Sequence, residues 1–163
     1  MNAIILTPIS PFAEIPPLKL SFPRVFSELE PFSDIREVNI NANREKLQRG
    51  FLKESRYAKY DFVILMDSDV VVDQQSIDKL FDAWKENTTP CINTKGTEEG
   101  GVVTSCALIS RDDYFKVRYM EKPYQCQCAK LPNPFYVKGV SGYEIDNDVR
   151  FDYRKMMSKK LHG

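Results

Sequence analysis

At 163 residues, 42% hydrophobic and 12% aromatic, the chain can bury one core and is too short for two ordinary domains. Its 23 basic side chains match 23 acidic ones, for a formal charge of zero. That balance excludes a general nucleic-acid backbone binder, which needs a basic surface, and a disordered chain, which pairs low hydrophobicity with high net charge.

The longest apolar run, Phe62 to Met66, falls far short of the ~20 residues that span a bilayer, so no integral membrane segment is expected. Met1 to Leu6 has no basic flank and stops short at Pro8, unlike a signal peptide. The expectation is a cytoplasmic protein, one domain over 1–163, with Cys91, Cys106, Cys126 and Cys128 as reduced thiols. Their spacing lacks the paired knuckles of a zinc site, and the only histidine, His162, lies in the tail.

In chain order, Ala3 to Leu6 reads as a buried strand ended by Thr7-Pro8. Residues 18 to 30 suggest a short helix with Pro23 in or breaking its first turn, and Ile35 to Ile40 a second strand. Asn43 is placed to cap a helix whose inward stripe is Leu47, Phe51 and Ala58. Tyr60 to Met66 is apolar on both faces, as in the central strand of a parallel sheet. After Val70-Val71-Val72, Asp73 can cap a helix carrying Ile77, Leu80, Phe81 and Trp84 at i, i+3, i+4 and i+7. Val102 to Ser110 is another strand, Lys116 to Gly139 has no usable period, and Gly142 to Tyr153 returns to a helix-compatible pattern. Alternating strands and helices predict a three-layer α/β/α sandwich with a mostly parallel central sheet.

Asp67-Ser68-Asp69 carries the chemistry. With 12 aspartates in the chain the bare Asp-x-Asp pattern is uninformative, and it recurs at Asp146-Asn147-Asp148. The first copy, however, follows five apolar residues at the C-terminal edge of the expected central strand, where open α/β sheets bind ligands. Strand geometry would point both carboxylates the same way, roughly 7 Å apart. Paired so, they suit Mg²⁺ or Mn²⁺, hard ions that share their coordination with substrate phosphates. The alternative is that one aspartate caps the next helix and the other is solvated.

The stretch from Asn41 through Gly50, and Tyr60 through Asp69, resembles the helix, strand and DxD motif of GT-A nucleotide-sugar glycosyltransferases. Ser105 to Arg111 is similar to the strand on that family's acceptor side, and Gly142 to Arg150 has the length of its Gly-Glu-Asp-x-Asp-Leu-x-x-Arg segment. The resemblance implies a GT-A fold and metal-dependent transfer of a hexosyl or deoxyhexosyl group from a UDP-sugar, with a GDP-sugar as the alternative donor. The acceptor would be a hydroxyl of a carbohydrate or other molecule, and a second copy of the chain could complete its site. Asp67, Ser68 and Asp69 would meet the donor, with Asp67 and Asp69 holding Mn²⁺ or Mg²⁺. Glu144 falls at the family's catalytic aspartate and would be the general base, implying inversion. Glu replaces Asp there, Tyr143 replaces an acid and Asn147 a leucine. Glu144 as an ordinary exposed helix acid is the competing reading.

Thr7 and Pro8 would lie where this fold seats the nucleotide base, or Thr7 is a turn residue. Arg49, with Arg44 and Lys53, is a candidate for diphosphate contacts. Tyr114, Phe115, Tyr119, Tyr124, Phe135 and Tyr136 could stack on acceptor sugars or wrap the core. Two other functions compete: a sugar-nucleotide or carbohydrate-binding module without turnover, and a haloacid-dehalogenase-type phosphatase with Asp67 as nucleophile. The second fails on layout, because its later motifs would share one strand and two strands would precede the first.

Overall fold

The computed structural model of the protein describes residues 2–9, 15–28, 40–94, 105–119 and 131–145. Its elements are β1 (Ala3–Ile9), β2 (Arg24–Glu28), α1 (Ile40–Lys53), a 3₁₀ turn (Ser55–Tyr57), β3 (Phe62–Met66), β4 (Val70–Val72), α2 (Gln74–Ala83), β5 (Thr89–Cys91), β6 (Cys106–Ser110), α3 (Arg111–Lys116), β7 (Pro134–Tyr136) and β8 (Gly142–Glu144). Six strands form one sheet in the order β2-β1-β3-β6-β5-β7. β2, β1 and β3 are parallel, β6 is antiparallel to both β3 and β5, and β7 is parallel to β5. Only β6 therefore runs against the other five, which is the mostly parallel sheet expected.

Strand alternation sends side chains to two cores. Ala3, Ile5, Phe62, Ile64, Met66, Cys106 and Leu108 face α2, where Ile77 and Leu80 are fully buried. Ile4, Leu6, Val63 and Ile109 face α1 and α3, packing on Leu47, Phe51 and Tyr114. Phe62 meets Trp84 edge-on at 4.9 Å and Phe81 at 5.5 Å, which locks α2 onto β3. On the other face Gln48 donates to the carbonyls of Tyr114 and Val117, both at 2.8 Å, tying α1 to the end of α3. The helix at Asp73 forms as expected: the Asp73 carboxylate accepts the Ser76 backbone N–H at 2.8 Å.

Several elements differ from the sequence reading. Residues 24–28 are strand β2, paired with β1 from Ile5↔Arg24 to Ile9↔Glu28, and no helix occupies the described residues between 18 and 28. Ile40 opens α1 instead of closing a strand; 35–39 lie outside the described residues. Asn43 is inside α1, not its cap, and its amide links the helix to β2 by donating to the Ser27 carbonyl at 2.7 Å. Ala58 follows the 3₁₀ turn and is exposed, so the buried stripe of α1 is Leu47 and Phe51. Gly142 begins β8, antiparallel to β4, where a helix was expected; 146–163 lie outside the described residues. Two short strands, β5 and β7, and helix α3 had no sequence signal.

Candidate active site

The C-terminal end of β3 is the focus of the molecule. Asp67 leaves the strand, and a turn through Ser68 and Asp69 closes with the Val70 N–H on the Asp67 carbonyl before β4 begins. The two aspartates thus sit on a turn and not on an extended strand. β4 then pairs with β8 in the register Val70↔Glu144, Val71↔Tyr143 and Val72↔Gly142, and the Ile145 N–H donates to the Asp69 carbonyl at 2.9 Å. This pairing brings Glu144 to the aspartates across the chain. Carboxylate oxygens of Asp67, Asp69 and Glu144 lie within 4.8 Å of one another, and all three residues are half-buried.

The neighbours of the cluster come from every side of the sheet edge. Arg44, on α1, donates to Asp67 Oδ1 at 3.0 Å, with side chains only 11% and 22% exposed. The Asp67 N–H donates to the Ser105 carbonyl at 2.9 Å. Ser105 Oγ donates to Glu144 Oε1 at 2.7 Å, and Thr94 Oγ1 donates to the same oxygen at 3.0 Å. Arg24, on β2, donates to the Thr7 hydroxyl at 2.9 Å and to the Asp67 carbonyl at 3.4 Å; its burial lowers the guanidinium pKa.

Beside Asp67 opens a pocket walled by Leu6, Pro8, Leu47 and Leu131, with Arg44, Tyr114 and Tyr119 also at its lining. Burial pushes the Tyr114 phenol well above its usual range and raises Tyr119 as well, so both are neutral hydroxyls at pH 7. The pocket is therefore mostly apolar with a cation, a carboxylate and phenols at its border, a composition that suits a planar polar ring.

The structure brings together Asp67, Asp69 and Glu144, and Pro8 lines the pocket beside Asp67. Ser68 is buried between the aspartates. Thr7 is wholly buried inside β1, which runs on to Ile9, so Thr7 is no turn residue, and its hydroxyl accepts a hydrogen bond from Arg24. Arg49 is exposed on α1, and so is Lys53; the base that reaches the site from this helix is Arg44. Glu144 is on a strand, not a helix. Among the aromatics, Tyr114 and Tyr119 are buried, Phe115 is 64% exposed, and Tyr124 lies outside the described residues. Arg24 and Thr94 escaped the sequence reading, and Ser105 entered it only as the start of the acceptor-side strand, because an isolated arginine or hydroxyl carries no local signature.

The sequence profile of glycosyl transferase family 2 matches residues 23–143, well over half of the chain. The chain belongs to glycosyl transferase family 2. It is a glycosyltransferase of GT-A fold, and this sets aside the phosphatase reading of Asp67. The match ends one residue before Glu144. The transferase is similar in fold to the crystal structure of A197 from STIV, with a TM-score of 0.54 and 14% identity, over 90% of this chain and 87% of that one. No curated protein sequence matches it. Among the described residues no helix is long and apolar enough to cross a membrane.

The acids fit the divalent cation that such transferases typically use. Every donor of the cluster is a hard carboxylate oxygen, the set that selects Mg²⁺, Mn²⁺ or Ca²⁺ over softer metals. Three half-buried carboxylates held this close repel one another, and a divalent ion among them would relieve that repulsion.

Proposed function

We propose that this glycosyltransferase is metal-dependent and moves a hexosyl or deoxyhexosyl group from a nucleoside-diphosphate sugar to a hydroxyl of a carbohydrate or other acceptor. UDP is the preferred nucleotide and GDP the alternative. The observation that carries this reading is the carboxylate cluster at the C-terminal end of β3, in a chain of family 2.

Asp67 and Asp69 would hold Mn²⁺ or Mg²⁺, which when bound supplies a Lewis acid for the diphosphate leaving group. The remaining work falls to the chain's own groups. Arg44 fixes Asp67 and stands beside the place where negative charge develops, a role taken from Arg49. Pro8, Leu6 and Leu47 give the base an apolar wall, and Arg24 braces the Thr7 end of β1 against the Asp67 carbonyl. Two roles fit Glu144. As general base it would accept the proton of the attacking hydroxyl, and direct displacement would invert the sugar carbon. As a further oxygen on the cation it would take no proton.

Release of UDP from UDP-glucose and UDP-galactose in Mn²⁺ tests the function. Turnover is expected, abolished by EDTA and reduced at least about 100-fold by Asp69→Ala. Turnover that survives Asp69→Ala would overturn the reading, and tight UDP-sugar binding with no release would turn it into that of a binding module.

A further inference from the structure

Glu144 is the one acid of the cluster that does not come from the β3–β4 turn, and its placement is constrained from three sides. First, β8 pairs with β4 so that Glu144 stands opposite Val70, next to the Ile145 N–H that donates to the Asp69 carbonyl. Second, β8 can approach so closely only because Gly142 has no side chain. A Cβ there would lie 2.7 Å from Val72 Cγ1 and 3.1 Å from Ile92 Cγ2. Third, Oε1 accepts two hydroxyls at once, from Thr94 and Ser105, both buried. Ser105 also accepts the Asp67 N–H on its carbonyl, so one residue spans the two acids from which the site is built.

These constraints suit a ligand better than a base. A general base must reach outward to a substrate hydroxyl, whereas a ligand must stay fixed beside the other ligands. Oxygens bound at ~2.0–2.1 Å in an octahedron stand about 3 Å apart when adjacent and about 4 Å when opposed. The three carboxylates, within 4.8 Å of one another, need only a small closure to reach that spacing. We propose that Glu144 is the third oxygen ligand of the cation, with Thr94 and Ser105 as positioning residues that aim it. The proposal rests on the assignment of Asp67 and Asp69 to that cation. It moves the general-base role off Glu144, and with it the sequence-based reason to expect inversion.

The test is the Mn²⁺ affinity of the full chain without donor, read from the electron paramagnetic resonance signal of free Mn²⁺, with thermal unfolding as a check on folding. Glu144→Gln is expected to weaken Mn²⁺ binding at least about 10-fold, and Ser105→Ala and Thr94→Ala several-fold to about 10-fold, as for other groups that orient a ligand. Ser105→Thr, which keeps the hydroxyl, should restore affinity. Wild-type Mn²⁺ affinity in Glu144→Gln together with lost sugar transfer would overturn the proposal in favour of a base. Should Glu144→Gln not fold, unchanged Mn²⁺ affinity in the folded Ser105→Ala and Thr94→Ala proteins would overturn it equally. No Mn²⁺ binding by the wild-type chain would instead overturn the underlying cation assignment.

Discussion

Arg44 and Asp67 form the most sheltered ion pair among the described residues, and the two arginines of α1 make a direct comparison. Arg44→Ala leaves the half-buried Asp67 carboxylate without its partner, at a cost of about 1 kcal/mol in stability. It is also expected to raise KM for the donor about 10-fold, and Arg44→Lys should restore only part of that, because an ammonium cannot reproduce the guanidinium fork. Arg49→Ala, on the exposed side of the same helix, should change neither quantity, as steady-state kinetics and chemical denaturation can check. Asp67 and Asp69 stand out in the sequence because five apolar residues announce the strand that ends at them. The same letters say nothing of Arg44 over Arg49, since α1 begins earlier than Asn43 suggests and its rotation is set by packing on β1 and β2. Thr94 and Ser105 are unreadable for a deeper reason: each acquires meaning only through Glu144, 50 and 39 positions away.

α2 was readable because its apolar residues recur with a helical period and because Asp73 is a strong cap, and β3 because five consecutive apolar residues mark a strand buried on both faces. That cap makes its own prediction. The Ser76 N–H holds the Asp73 carboxyl below its usual value, so its contribution is present above about pH 4 and lost as pH falls through the lowered value. Asp73→Ala should therefore cost about 1 kcal/mol at pH 7, and the difference from wild type should shrink below pH 4 in denaturant titrations. The three-residue strands are the opposite case. β5 is Thr-Pro-Cys, with a proline that argues against a strand, and β8 is Gly-Tyr-Glu at the start of a helix-compatible pattern. Both exist because a neighbouring strand accepts them, which no short window can show. Gly142→Ala tests how much β8 matters: the added methyl meets Val72 and the Val71 carbonyl, so a loss of about 1–3 kcal/mol is expected. Because it displaces Glu144, Mn²⁺ affinity should fall with it, whereas a purely stabilising β4–β8 pair would leave that affinity untouched.

Zero net charge suits the proposed function, in which an anionic donor would be met through one cation and the sheltered Arg44 instead of a broad basic face. The cysteines take no part in this chemistry among the described residues. Cys91 and Cys106 are fully buried; burial pushes the Cys91 thiol up to about 12 and the Cys106 thiol higher still. Unfolded thiols ionise near pH 8.5, so folding stability should hold below that value and decline as pH rises toward 12. Both cysteines should resist alkylation at pH 8 until denaturant is added, as mass-spectrometric mapping can establish. The three-layer fold was readable from alternation and composition together, whereas the reversed direction of β6 was not, since direction leaves no mark on the apolar run Cys106 to Ile109. What unites the fold and the site is the end of β3, where sheet, turn and β8 deliver three acids to one point. The most direct test of that claim is calorimetric titration of the wild-type chain and Asp69→Ala with UDP, in Mn²⁺ and in EDTA. Binding by the wild-type chain in Mn²⁺ alone is the expected result; equal binding in all conditions, or none in any, would contradict it.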